Sequence, residues 1–262
     1  MNITEMQNRI QNARVLDFGT LFNQSVELFK KVWVQGLVTL LLNMVLAIPV
    51  IMIVYIPLLF FGFMSALTVD SSYDSYGDTG MSVIMVIIVL IAYIFMVVAM
   101  SAIGLGLKAA FYRICKLKDL EQLGKEDYFY FFKKPYLAKT IKLGMVFTGI
   151  AVLATLLCFL PIIYALVPLS FIVTVYAFNP DMSISEIVKL GFDLGHKKWL
   201  ISFGLMFVAG FLGMIIGFLM CGFGVYVTSS FGQLPAYLIY KEVIGFDDDN
   251  EQMRRIENLN TI

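Results

Sequence analysis

The sequence predicts an all-α fold: a polytopic helical membrane protein of about six transmembrane helices, with amphipathic helices on its cytoplasmic side and both termini inside. Three observations carry that expectation. Sixty per cent of the 262 residues are hydrophobic and the mean hydropathy is +0.84, whereas soluble domains are about half apolar. The apolar residues gather into four uncharged runs, 34–69, 81–107, 143–178 and 200–240. All 19 Lys and Arg residues lie outside those runs, and none falls in the connection 70–80, which carries Asp70, Asp74 and Asp78.

The amino terminus is polar and of mixed charge, with neither an apolar core nor a small-residue cleavage site, so a cleaved signal peptide is not expected. Residues 17–33, DFGTLFNQSVELFKKVW, follow. Phe18, Leu21, Phe22, Val26, Leu28 and Phe29 fall on one helical face, and Thr20, Asn23, Gln24, Glu27, Lys30 and Lys31 on the other. The stretch 183–199, SISEIVKLGFDLGHKKW, repeats the pattern without a gap, matching Leu21 with Ile187, Glu27 with Asp193, Leu28 with Leu194, Lys31 with Lys197 and Trp33 with Trp199. Trp33 and Trp199 are the only two tryptophans. The second copy opens on a capping box, Ser183 with Glu186, just after Asn179-Pro180. Two readings stay open for both copies: a helix lying in the headgroup layer, or one packed on the protein's own spans.

A span needs about 20 residues at 1.5 Å each. The runs therefore divide into spans at roughly 34–56, 81–107, 143–160, 162–178, 200–217 and 220–240, with breaks at Pro161 and at Gly217, Gly222 and Gly224. The first run is long enough for a hairpin. Read as one span, it places residues 1–33, 108–142, 179–199 and 241–262 on the cytoplasmic side with all the basic residues, and only 70–80 outside. Residues 57–69 have no place in this scheme; they would extend or tilt the first helix or lie as an apolar flap. The whole chain, 1–262, reads as a single integral membrane domain, with cytoplasmic or interfacial helices at 17–33, 109–142 and 183–199 and a cytoplasmic tail at 241–262.

The same residues bound the chemistry. No Asp, Glu, Lys, Arg or His lies inside an assigned span, which argues against a proton relay or a charged midplane site. The polar groups there, such as Gln35, Asn43, Thr155, Ser170, Thr174 and Thr228, read as interhelical hydrogen-bonding partners. His196 is the only histidine and sits on a polar face, so a multi-histidine metal centre is excluded and a general-base role has no partner. Cys115, Cys158 and Cys221 have no metal-ligand spacing; a Cys158–Cys221 disulfide is compatible with the topology and nothing more. The acidic loop DSSYDSYGDTG lacks the spacing and closing Glu of a calcium loop, and no hydrolase or nucleotide motif is present. No catalytic residue, metal or cofactor is expected. The candidate sites are contacts with the interface and lipid headgroups: Lys30, Lys31 and Trp33; Lys133, Lys134 and Tyr136; Lys197, Lys198 and Trp199.

The series LPIIYALVPLSFIVTVYAFNPDMSISEIVKLGFDLGHKKW, then GQLPAYLIYKEV, resembles a six-span bacterial family that includes the membrane domain of glycerophosphodiester phosphodiesterases and related proteins of unknown function. Pro161, Asp181, the Ser183–Trp199 helix, Pro235 and Tyr240 match its proline-broken hairpin, acidic turn, amphipathic helix and closing helix, and DYFYFFKKPYL is similar to its middle cytoplasmic helix. The likeness covers nearly the whole chain through degenerate, apolar motifs. Where the family has Ser in the second amphipathic helix this chain has Gly191, while the first copy keeps Ser25, and no phosphodiesterase barrel follows. The resemblance implies a fold and an address in the bacterial cytoplasmic (inner) membrane, and no activity. The expectation is a non-enzymatic accessory or scaffold subunit, or a protein of envelope or lipid homeostasis. Its partners would be membrane lipids and either a membrane protein or a second copy, with no nucleic acid. The alternative is a small transporter or lipid-handling protein, framed by the repeated units.

Overall fold

The computed structural model describes residues 1–68, 79–157, 160–220, 222 and 224–246. The described residues form nine α-helices, two short 3-10 turns and no strand. The helices are α1 (Ile3–Gln11), α2 (Phe18–Thr68), α3 (Thr79–Asp119), α4 (Lys134–Leu156), α5 (Leu160–Phe178), α6 (Ile184–Lys197), α7 (Trp199–Leu219), α8 (Gly224–Thr228) and α9 (Leu234–Val243). Five segments are long and apolar enough to cross a membrane: Phe18–Phe60, Val86–Asp119, Lys134–Leu156, Pro161–Phe178 and Trp199–Leu219.

The first amphipathic stretch is not a separate helix. Nothing in residues 30–40 caps or breaks it, and it runs on through the first apolar run as 51 residues, about 76 Å of helix. A hydrocarbon core is only about 30 Å thick, so much of α2 must lie outside it. Pro49 and Pro57 stand inside α2, and residues 57–68 continue it, which settles the segment left without a place. The section 109–142 is likewise divided. Its first part, to Asp119, is the end of α3, its middle is irregular with a 3-10 turn at Tyr130–Phe132, and from Lys134 it is the start of α4.

The predicted span 220–240 does not form as one helix. Gly222 takes a positive φ of 80°, Thr228 and Ser230 bracket a turn, and Pro235 sits in the first turn of α9, where its missing N–H costs nothing. Gly224 packs directly on Gly217, where a Cβ would come within 2.9 Å of the Gly217 Cα, so α8 folds back along α7. The Thr228 hydroxyl locks that return by donating to Gly213 O at 2.6 Å. Every residue of α9 from Leu234 to Tyr240 is buried in protein, leaving no face for lipid.

Burial separates the molecule into two regions. Met6 and Ile10 of α1, Leu21, Leu28 and Val32 of α2, the ends of α3 and α5, the apolar face of α6 and the apolar residues of α9 share one core. Away from it, large apolar side chains are exposed along the described parts of α2 from Val34 to Phe63, of α3 from Val86 to Phe95, of α4 from Met145 to Leu156 and of α7 from Leu200 to Leu219, Leu200 at 78 % and Leu59 at 69 %. Such a surface is unsuited to water and matches hydrocarbon. Among the described residues the charged side chains collect on the packed end.

Candidate functional site

The two matched amphipathic stretches bury the same register. Leu21, Ser25, Leu28 and Val32 are buried in α2, and Ile187, Gly191, Leu194 and Lys198 in or at the end of α6. The second face is therefore packed on the protein itself, against α5, and α1 covers part of its polar side through a 2.7 Å bond from Gln7 to Asp193. The capping box forms as expected, with Glu186 N donating to Ser183 Oγ and Ser183 N donating to Glu186 Oε2 at 2.8 Å. Those bonds, with Ser183 foremost, hold the Glu186 carboxyl below its ordinary value.

The candidate interface residues separate into three places. On α2, Lys30 pairs with Glu27 at 2.6 Å, Lys31 reaches Glu121 at 3.1 Å, and Trp33 is 42 % exposed at the start of the apolar stretch. At the α6–α7 junction, Lys197 is exposed, and Trp199 donates through Nε1 to Tyr164 O at 3.1 Å while stacking on Tyr164 and Phe203. Lys198 turns inward. Its ammonium donates to Ala13 O and Arg14 O, at 3.2 and 2.5 Å, and burial first, then Lys197, lowers its pKa. It ties the chain ahead of α2 to the junction and is occupied there. In both places an exposed lysine, Lys31 or Lys197, stands two residues ahead of a tryptophan and a lipid-compatible surface, the arrangement of an interfacial anchor.

The third set, at the start of α4, lies beside Asp127 and Tyr130, which line a cavity. Lys133 pairs with Asp127 and lies 5.8 Å from the Tyr130 ring centre, while Tyr130 stacks on Tyr136 at 5.0 Å with their hydroxyls 3.2 Å apart. Lys134 is exposed. Tyr130 also lines a cavity of about 420 Å³, bounded by Met1, α3, the 125–130 segment, the end of α5 and the chain at the end of α9. Among the described residues Met1, Arg113, Lys116, Lys125 and Asp127 line it. Gly245, at a φ of 76°, ends α9 with its amide donating to Tyr240 O. That turn brings Phe246 back onto Phe178, 4.8 Å between ring centres, and under the Lys116 ammonium.

Neighbouring charges are tied down. Asp119 accepts from Tyr237 at 2.8 Å and Lys241 at 2.7 Å, fixing α9 to α3. Glu126 is held below the usual carboxylate range, chiefly by Lys118 at 2.6 Å, and burial pushes the Tyr128 phenol up to about 12. Among the described residues no group of three or more His, Cys, Asp and Glu is placed to hold a metal ion.

Arg113, Lys125, Asn179 and Phe246 were not singled out in the sequence. Only the crowding of basic residues in 108–142 signalled the place, because the cavity draws on residues as far apart as Arg113 and Phe246. The intramembrane polar groups meet the expectation in part: Thr228 bonds across to Gly213 O of α7 and Thr174 of α5 meets the Tyr112 hydroxyl of α3, while Thr155 and Ser170 bond carbonyls four residues back on their own helices. Cys115 is free and buried; Cys158, Cys221, the acidic loop 70–78 and the tail beyond 246 lie outside the described residues. Comparison with protein-family models, with curated proteins and with solved structures finds no match to this chain.

Proposed function

We propose that this chain is a non-enzymatic integral protein of a bacterial cytoplasmic membrane, an accessory or scaffold subunit serving the envelope or its lipids. In this reading the apolar helices anchor a compact charged bundle, which faces the cytoplasm and receives the partner. The observation that supports it most is the division of the molecule. Large apolar side chains are exposed along α2, α3, α4 and α7, while α1, α6, α9 and the basic cavity form one tightly packed end. A pump would place ionisable groups midway along its spans; here the charge is gathered where a partner or a membrane surface meets it. The sequence likeness to the six-span family supports the same address.

Mild extraction from native membranes, with identification of co-purifying proteins and lipids, tests the reading. A stoichiometric protein partner is the expected result. A chain that is monomeric and carries only lipid speaks against the accessory role and for lipid handling. Orientation is tested by reporters inserted at Ser75 and at Leu123, the latter fully exposed. They are expected on opposite sides of the membrane, with Leu123 inside; both on one side would contradict the topology.

A further inference from the structure

We propose that Lys108 of α3 is the cation of a binding site for an anionic phospholipid, set in a crevice of the helical bundle on the hydrocarbon side of Trp33. The inference rests on the reading of the apolar helices as membrane spans, and not on the accessory role. Along α3, every residue from Leu105 to Tyr112 is buried except Lys108, which is half-buried. The helix is thus enclosed on all its faces at this level, and the Lys108 side chain reaches a crevice between helices and not an open lipid-facing surface.

Depth and charge choose the ligand. A Cβ on Gly36 of α2 would lie 3.7 Å from the Phe111 ring, and one on Gly104 of α3 would lie 3.7 Å from Asn43 Nδ2. Lys108 is therefore level with α2 between Gly36 and Asn43, roughly 5–15 Å to the hydrocarbon side of Trp33 at about 1.5 Å per residue. An ammonium at that depth is costly unless an opposite charge meets it. The apolar runs 34–69, 81–107, 143–178 and 200–240 contain no carboxylate, and Lys108 has no ion pair or hydrogen bond among the described residues. The polar groups gathered at Tyr112 are neutral: its hydroxyl donates to Gln233 O at 3.3 Å and meets Thr174. The Gln233 carboxamide is half-buried and engaged by no other described residue, which leaves an N–H donor beside them. The counter-charge must then come from outside the chain. Lys108 leans toward Tyr112, one turn nearer the level of Trp33, with its Nζ 5.9 Å from the ring centre. That is the direction in which a lysine snorkels to meet a headgroup. A phospholipid brings its phosphate from that level while its chains stay in hydrocarbon, which a soluble anion cannot do.

The test uses the full chain purified in a neutral maltoside detergent. Dioleoylphosphatidylglycerol and, as the control with the same chains and no net charge, dioleoylphosphatidylcholine are titrated and scored by native mass spectrometry. The first lipid bound to wild type is expected to be phosphatidylglycerol, preferred at least about fivefold, as one lysine's attraction to an anionic lipid gives. Lys108→Met, close in length and shape but uncharged, is expected to lose that preference, and Lys108→Arg to keep it. Lys189→Gln, on the exposed face of α6, leaves it unchanged. Thermal unfolding in detergent without added lipid separates a ligand site from a structural role. There Lys108→Met is expected to melt at or above wild type, because it removes an unpaired charge. Wild type that binds the two lipids alike, a preference that survives in Lys108→Met, or a Lys108→Met that melts below wild type without lipid overturns the proposal. A stoichiometric protein partner without a lipid preference removes this inference alone; a lipid preference without a protein partner removes the accessory role and leaves the site.

Discussion

Gly191 of α6 lies flat against Ile172 of α5: a Cβ at position 191 would come within 2.5 Å of Ile172 Cγ1 and 2.9 Å of its amide nitrogen. One turn on, Gly195 meets Pro168 in the same way, at 2.7 Å from its Cα. The contact explains why the serine of the first copy, Ser25, cannot stand at the matching place. Ser25 is buried too, but it has room to donate to Leu21 O at 2.8 Å.

Gly191→Ala and Gly195→Ala are therefore expected to destabilise the bundle by about 1–3 kcal/mol each, the usual cost of overpacking. Gly149→Ala is the control, since a Cβ there meets nothing within 4 Å. Thermal unfolding in detergent should place both α6 variants below wild type and Gly149→Ala at or slightly above it. Equal melting of all four would contradict the α5–α6 contact.

The start of α6 supplies a second prediction. Ser183→Ala removes an N-cap and should cost about 1 kcal/mol. The pH dependence follows from Glu186, whose carboxyl is held below 4.5 by Ser183. A depressed folded pKa gives a contribution that is complete above the unfolded value and lost as pH falls through the folded one. Wild type should thus melt above Glu186→Ala at pH 7, and the gap should narrow as pH drops below 4.5.

How much of this was legible beforehand differs from element to element. The cap at Ser183 and the buried positions Ile187, Leu190 and Leu194 were readable because a helix carries its own periodicity and its own stop signals. The limits of α2 were not: Lys30, Lys31 and Trp33 mark a change of solvent, and a change of solvent does not end a helix. Residues 220–240 were apolar enough to span, yet apolarity does not distinguish lipid from protein interior, and α9 took the interior. The cavity was invisible because Arg113, Lys125 and Phe246 come together only through tertiary packing.

Lys198 gives a third prediction, about the chain ahead of α2. Its ammonium satisfies the carbonyls of Ala13 and Arg14, so Lys198→Ala leaves both without that donor. The segment should loosen, at a cost of about 1–3 kcal/mol. Trypsin cleavage after Arg14, already exposed, should accelerate in the variant relative to wild type. An unchanged cleavage rate would show that other contacts hold the segment.

The central claim is that the apolar helices lie in a bilayer whose surface runs at the two tryptophans, with the charged bundle beyond it. Trp33 and Trp199 are the only tryptophans, so Trp33→Phe and Trp199→Phe each leave a single native probe. In vesicles made with lipids brominated at different depths, both probes should be quenched most by bromines near the headgroup and least by those near the chain ends. Equal quenching at every depth, or none at all, would contradict the account.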